Sequence, residues 1–269
     1  MQKKISNKKI LVFTATYNEI DNIGKLLLKI KKFNSKVHIL IIDDNSPDGT
    51  AQKVIGLKKK IKNLNIIIRS KKLGLDSAHK MAYAYALKNK YDYLITMDAD
   101  LSHDPCEIKN FIKYLKEYSF VIGSRYLPKG KCLMQGRRLF LSKYGNIIIK
   151  KVLGIKLTEF TTSYRGFNLK KLKKFNLKQV KAKGYSFMMC VVFEIYIRNF
   201  DIKEIPIIFK DRLEGFSKIP RIETLRTLKN LFFLYFSLPL IVYFFQQYNE
   251  EINCFLEMLK IYFYFLVLH

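Results

Sequence analysis

The sequence predicts an α/β fold: a doubly wound, mostly parallel sheet followed by a helical, membrane-associating C-terminal tail. Three observations carry this. Short apolar runs alternate with stretches of helical periodicity through the first half of the chain, the pattern of a parallel sheet covered on both faces. The polar clusters TATYNE, DDNSPDG and DADLSH close three of those runs, and in open sheets of this kind ligands bind beyond the carboxyl ends of the strands. Towards the end the composition turns apolar and aromatic. Residues 1–222 are therefore expected to form the folded domain and 223–269 an apolar helical segment.

The elements follow in order. KILVFTAT (9–16) reads as a buried strand, and NEIDNIGKLLLKIKKF (18–33) as a helix with Asn18 as its cap. VHILIIDD (37–44) is a second buried strand. SPDGTAQKVIGLKKK opens a helix at Ser46 and Pro47, residues suited to a helix start; Asp48–Gly49 also has the chemistry of a turn. NLNIIIRS is a third strand, LDSAHKMAYAYALKN a helix, YDYLITMDAD a fourth strand, DPCEIKNFIKYLKEY a helix and FVIGSRY a fifth strand. The second half is more helical, with a strand-like DIKEIPIIF. LFFLYFSLPLIVYFF (231–245) holds about fifteen apolar residues, short of the roughly twenty a spanning helix needs. FLEMLKIYFYFLVLH follows, interrupted by Glu257 and Lys260. A membrane-embedded hairpin or interfacial helices flanked by Arg226 and Lys229 are expected in preference to a soluble core helix.

Composition narrows the partners. The formal net charge of +27 suits a polyanion: nucleic acid, an anionic membrane surface or a phosphorylated substrate. The lysines are scattered, and the runs at 58–60 and 171–174 read as solvated helix faces. No pair among Cys106, Cys132, Cys190 and Cys254 has CxxC spacing, which argues against a zinc or redox pair. With no signal peptide visible, a reducing, cytoplasm-facing location is expected.

The densest chemistry lies in MDADLSHDP (97–105). Asp98 and Asp100 share a side of an alternating strand, or converge once the chain turns. Two hard oxygen donors at a strand end, with little else from the protein, suit Mg²⁺ or Mn²⁺, which completes its shell with water and substrate phosphate. DxD alone is weak evidence. Placed after an apolar strand, with DDNSPDG at another strand end, it becomes strong. Asp43 and Asp44 are placed to accept hydrogen bonds from a base or ribose. His103 fits a base or ligand, and equally a group that orients the aspartates. His79, Tyr83 and Tyr85 read as packing.

The run ATYNE…IIDDNSPDGT…LGL…MDADLSHDP…GSRY, continued by GRRLFLSKYGN, TTSYRGF, KGYSF and DRLEGFSK, resembles the inverting family-two glycosyltransferases of the dolichyl- or polyprenyl-phosphate mannose synthase type. The resemblance covers roughly residues 9–220, in order. It implies a GT-A fold, GDP-mannose as donor, a polyprenyl or dolichyl phosphate acceptor and a divalent metal. By motif, Ala15, Tyr17 and Glu19 would line the nucleotide pocket, and Ile42 and Asp44 would meet guanosine. Asp98, Ala99 and Asp100 would bind metal and donor, with Ser102 as a further metal ligand. Arg125, Arg212 and Lys218 would hold phosphates, with Arg212 catalytic beside the two aspartates. Arg138 and Ser142 would take the acceptor phosphate beside Arg125. The active site would face the cytoplasm at the membrane surface, and a small membrane subunit is a further partner in view. The sequence departs from the family pattern at Ala15, Asp76, Glu159 and Thr162. It departs further at Met188 and Cys190, where relatives tend to carry Gln and Glu, a change that bears on donor-sugar or acceptor preference.

The chemistry agrees with that set. A lipid phosphate monoester has a second pKa of about 6, so near neutral pH it is largely dianionic and already nucleophilic. Such an acceptor needs positive charge and a stabilised leaving group more than a base. Arginines grip phosphate bidentately. Three alternatives stand beside this reading. A UDP-sugar donor such as UDP-glucose would keep the fold and acceptor. A nucleic-acid-binding protein would suit the charge, though no reading motif is present. An inactive scaffold would suit the YSFMMC departure, against which stand the intact aspartates and arginines.

Overall fold

A computed structural model describes residues 8–184, 186–211, 226–227 and 229–237. The chain alternates as its pattern requires. Strand β1 (Ile10–Thr16) leads to α1 (Ile20–Phe33), β2 (His38–Asp43) to α2 (Thr50–Leu57), and β3 (Leu64–Ile68) to α3 (Leu75–Lys88). Strand β4 (Tyr93–Thr96) follows, then a 3₁₀ turn (Pro105–Glu107), α4 (Ile108–Tyr114), β5 (Phe120–Ser124), the short β6 (Lys131–Cys132) and α5 (Gly136–Leu153). Strand β7 (Arg165–Asn168), α6 (Ser186–Ile197), β8 (Ile202–Pro206) and β9 (Ile208–Phe209) complete the named elements.

Seven strands make one sheet in the order β3-β2-β1-β4-β7-β5-β8. All its pairings are parallel except those of β7, which runs antiparallel to both β4 and β5. The period-two alternation of apolar residues sends side chains into two cores. Leu11, Phe13, Leu40 and Ile42 face one side, where α3 and α6 pack. Val12, Ile39 and Ile41 face the other, against Ile23, Leu26, Leu27 and Ile30 of α1 and Phe111 of α4. The doubly wound, mostly parallel sheet is therefore as the sequence predicts.

Strand β7 is absent from the sequence reading. It admits a close neighbour at Gly166, where a Cβ would come within 2.9 Å of Leu115. Its Arg165 is wholly buried, and its charge is met by the carbonyls of Phe160, Thr162 and Met188, each at 2.7 Å.

Several local expectations are corrected. Asn18 is not the α1 cap: it sits at φ +57°, and the Ile20 N–H donates instead to Asp48 Oδ2 of the next loop, at 3.1 Å. Ser46 and Pro47 do not open α2, which begins at Thr50 after Gly49 at φ +88°. They belong to a turn braced by Asp43 and Asp48, whose carboxylates accept from Ser46 and Thr50. The lysines of 58–60 and 171–174 are exposed as expected, but they lie on turns rather than helix faces. His79 and Tyr83 are buried, His79 edge-on to Phe13 and Tyr83 against Phe167 and Phe175.

Of the expected tail, residues 229–237 are helical. Leu231 and Leu234 join the core, while Phe232, Phe233, Tyr235 and Phe236 are exposed. No helix among the described residues is long and apolar enough to cross a membrane. The rest of the expected apolar tail lies outside the described residues.

Candidate active site at the carboxyl ends of the strands

Strands β1, β2 and β4 end side by side, and their loops carry the three polar clusters. Ala15 pairs with Ile42 and Thr16 with Asp43 in the β1–β2 register, so two residues of the expected nucleotide pocket are strand neighbours. Asp43 ties the two loops: it accepts from Thr16 Oγ1 at 2.7 Å and from the Ser46 hydroxyl at 2.6 Å. Asp44 is buried against Arg69, and its Oδ2 accepts from the Leu73 and Gly74 amides at 3.2 and 3.1 Å. The carboxylate thus fastens the LGL loop. Tyr17 lies beneath Lys72, whose ammonium is 4.0 Å from the ring centre. Glu19 Oε2 accepts from Asn22 at 3.0 Å.

Strand β4 ends at Thr96, so Asp98 and Asp100 belong to the following turn rather than to the pleat. That turn passes through Leu101 at φ +64°, a conformation costing an L-residue about 1–2 kcal/mol. Burial of Leu101 and the bonds of Ser102 hold it there. Ser102 is wholly buried, and both its amide (3.1 Å) and its hydroxyl (2.6 Å) donate to Asp100 Oδ1. Asp100 is buried too; the Asp98 side chain is 37% exposed.

Asp98 is held from behind. Its Oδ1 accepts from the Ser163 hydroxyl, and its backbone N–H donates to His103 Nδ1 at 3.1 Å. A ring nitrogen that accepts carries no proton, so the neutral His103 has its hydrogen on Nε2, 3.2 Å from Thr162 Oγ1. Burial is the largest influence on this ring and lowers its pKa; Asp98 and Asp100 oppose that, and the net direction is down. The 3.6 Å approach of Nδ1 to Asp98 Oδ2 is therefore not an ion pair. His103 orients the aspartate loop and offers no lone pair to a substrate.

Residues 158–163 form the plate behind these groups. Glu159 is wholly buried, and its Oε1 accepts from the Thr161 amide and hydroxyl and the Thr162 amide. Its Oε2 accepts from Arg125 Nε at 2.7 Å. Burial works against this carboxylate's charge, but Arg125 and the loop donors prevail and hold its pKa below the ordinary value. Glu204 of β8 accepts from the Thr158 and Glu159 amides, both at 2.9 Å, and fixes the start of the loop.

The residues expected on the acceptor side lie in the chain's second half. Arg138, near the start of α5, pairs with Asp211 Oδ1 at 2.8 Å, joining the helix to the first residue of DRLEGFSK. The Ser142 hydroxyl accepts from Tyr126 at 2.6 Å. Arg212 and Lys218 lie outside the described residues. The two departures in YSFMMC fall inside the main core: Met188 and Cys190 are buried on α6. Asp76 accepts from the Gly184 amide at 3.0 Å and tethers the KGYSF segment to α3.

Sequence reasoning missed Ser163 and Arg165, and weighed Glu159 and Thr162 only as departures. The signal was present in TEFTTS, where three hydroxyls in a row follow a lone acid just before a buried segment.

Among the described residues no cluster of three or more His, Cys, Asp or Glu groups is placed to hold a metal. An ion bound here would have the two aspartates as its protein donors. One partly exposed and one buried carboxylate fit a hard divalent ion that takes the rest of its shell from water and phosphate.

In this doubly wound sheet the two carboxylates lie just past the end of a central strand, where open α/β sheets bind their ligands, and similarity to known proteins gives the family. Residues 11–175 match glycosyl transferase family 2, and the chain belongs to that family. It is 33% identical over 215 residues to polyprenol monophosphomannose synthase of Mycolicibacterium smegmatis, covering 79% of this chain and 81% of that one. It is 31% identical to undecaprenyl-phosphate mannosyltransferase of Micrococcus luteus, covering 78% and 87%. Among solved structures, the glucosyl-3-phosphoglycerate synthase of Mycobacterium tuberculosis with Mn²⁺, UDP and phosphoglyceric acid superposes with a TM-score of 0.63 at 14% identity, over 86% of this chain and 78% of that one. A mannosyltransferase of Pyrobaculum calidifontis with GDP-Man and Mn²⁺ gives 0.52 at 16% identity, over 86% and 64%. At these identities the structural matches establish the fold.

Proposed function

We propose that this chain transfers mannose from GDP-mannose to a polyprenyl or dolichyl phosphate, with inversion, giving polyprenyl-phosphate β-mannose and GDP. The observation that carries this reading is the placement of Asp98 and Asp100 at the end of β4, beside the β1 and β2 loops, in a chain two of whose relatives above 30% identity are named as polyprenyl-phosphate mannosyl enzymes.

In this reading Ala15, Tyr17, Glu19, Ile42 and Asp44 form the nucleotide side. Asp98 and Asp100 hold Mg²⁺ or Mn²⁺, with Ser102 bracing Asp100. When bound, the ion stabilises the leaving diphosphate. Arg125, held through Nε by Glu159 and with Nη2 3.5 Å from Thr161 Oγ1, would supply positive charge to phosphate together with Arg212 and Lys218. Arg138 and Ser142 receive the lipid phosphate. One of its oxygens attacks the anomeric carbon in line as the bond to GDP breaks, so no proton needs to be removed from the nucleophile. His103 has its acceptor nitrogen already engaged, which suits a reaction without a general base.

A membrane-surface location is part of the proposal. Helix α5 turns Phe140, Leu141, Tyr144, Ile147 and Ile148 outward, with exposed Lys143, Lys150 and Lys151 around them. An apolar stripe ringed by cations suits an anionic interface, and the outward aromatics of 229–237 add to it. The cytoplasmic face, where nucleotide sugars are made, is the proposed side.

The test is sugar transfer from labelled GDP-mannose, UDP-glucose and UDP-N-acetylglucosamine to polyprenyl phosphate in detergent, with and without Mg²⁺ or Mn²⁺. Metal-dependent labelling by GDP-mannose, abolished by Asp100→Ala, is expected. Labelling by a UDP-sugar alone would reassign the donor, and full turnover by Asp100→Ala would remove the metal role.

A further inference from the structure

Asp98 is the more exposed of the two aspartates, and a carboxylate on a turn can present either oxygen or swing away. Here it is pinned at two points. The Ser163 hydroxyl donates to Oδ1, and His103 Nδ1 accepts the Asp98 backbone N–H. Oδ2 has no hydrogen-bond donor among the described residues.

Both pins are themselves anchored. His103 is wholly buried, 4.8 Å from the Tyr164 ring and edge-on to Phe209 at 5.3 Å, with Nε2 on Thr162 Oγ1. The Ser163 carbonyl accepts from Thr96 Oγ1 at the end of β4. The carbonyls of Phe160 and Thr162 are gripped by Arg165, and the Thr161 and Thr162 amides by Glu159. The stretch 158–163 is thus held through its carbonyls, amides and hydroxyls together.

Resting on the metal reading above, we propose that Ser163 and His103 are positioning residues that fix the Asp98 carboxylate so that Oδ2 is the atom presented to the metal. Neither touches the ion or the sugar. Partners of this kind set ligand orientation, and their loss weakens metal affinity by about 10- to 100-fold.

The readout is the Mn²⁺ dissociation constant in the presence of GDP, followed by the free-Mn²⁺ electron paramagnetic resonance signal, with no turnover involved. Ser163→Ala should raise it about tenfold while the thermal midpoint stays near that of wild type. Two variants at position 103 make the second arm. His103→Asn keeps an amide oxygen for the Asp98 N–H and should bind Mn²⁺ nearly as wild type does. His103→Leu, which has no acceptor, should bind it about as weakly as Ser163→Ala. Asp98→Asn is the reference for loss of the ligand itself. If Asp98→Asn lowers affinity but Ser163→Ala and His103→Leu bind as wild type, the positioning role is overturned and the metal reading stands. If wild type takes up no Mn²⁺, or Asp98→Asn takes it up unchanged, the metal reading fails and this inference fails with it.

Discussion

Arg125 and Glu159 show how a single pair can serve both folding and the site. Both are buried, and each compensates a charge the interior would otherwise reject. Removing one partner of such a pair costs about 3–5 kcal/mol, so Glu159→Gln should lower unfolding stability by that order in urea titrations at pH 7. The folded Glu159 has a depressed pKa. Its contribution is therefore fully present above the unfolded carboxyl value of about 4.3 and is lost as pH falls through the lower folded value. The gap between wild type and Glu159→Gln should narrow in acid, which equilibrium unfolding near pH 3.5 would reveal. Arg138 presents the opposite case. It and Asp211 are both about two-fifths exposed, and such pairs contribute only about 0–1 kcal/mol. Arg138→Ala should leave stability nearly unchanged and raise the apparent KM for lipid phosphate more than that for donor. Steady-state kinetics with each substrate varied in turn would check this, and an equal effect on both would remove Arg138 from the acceptor side.

At the level of elements, the loops after β1 and β2 are one unit. Asp48 accepts the first N–H of α1 and both the amide and hydroxyl of Thr50 at the start of α2. Burial disfavours its charge, but the Thr50 and Ile20 donors outweigh that and hold its pKa below the ordinary value. Asp48→Ala strips two helix starts of their acceptor and should cost about 1–2 kcal/mol, read from the denaturant midpoint. The sequence made the strands, the helices and the three strand-end clusters legible, because burial on both faces leaves a nearly continuous apolar run and a turn leaves a polar one. It hid what depends on distant partners. Asn18 and Ser46 have the composition of caps, yet the acceptor for α1 comes from a residue 28 positions away. Strand β7 was illegible because it is four residues long and contains an arginine and a glycine. The carbonyls of the preceding loop and of Met188 in α6, with the charge of Glu159, make that arginine tolerable. Helix α5 carries no clear amphipathic period, since both its core-facing and its outward faces hold apolar residues.

The whole molecule carries a large positive charge, yet part of its acid response should come from an uncharged group. Burial, reinforced by the charge of Arg165, lowers the pKa of His79 to about 3. Below about pH 6.5 the unfolded chain takes up a proton there that the folded one refuses. Stability should thus fall by up to about 1.4 kcal/mol per pH unit as acid is added. His79→Leu should remove its share of that slope: between pH 7.5 and 5, wild type should lose up to about 2 kcal/mol more than the variant, measured by urea unfolding at each pH. The antiparallel β7 has a further consequence, for synthesis. It alone joins β4 to β5, so β4, finished at Thr96, keeps one bare edge until Arg165–Asn168 arrives about 70 residues later. At translation rates of roughly 5–20 residues per second that interval lasts about 3.5–14 seconds. Throughout it the nascent chain displays an open strand edge, joined from Ser124 onward by an unpartnered β5, conditions under which a growing polypeptide is prone to aggregate and needs a chaperone.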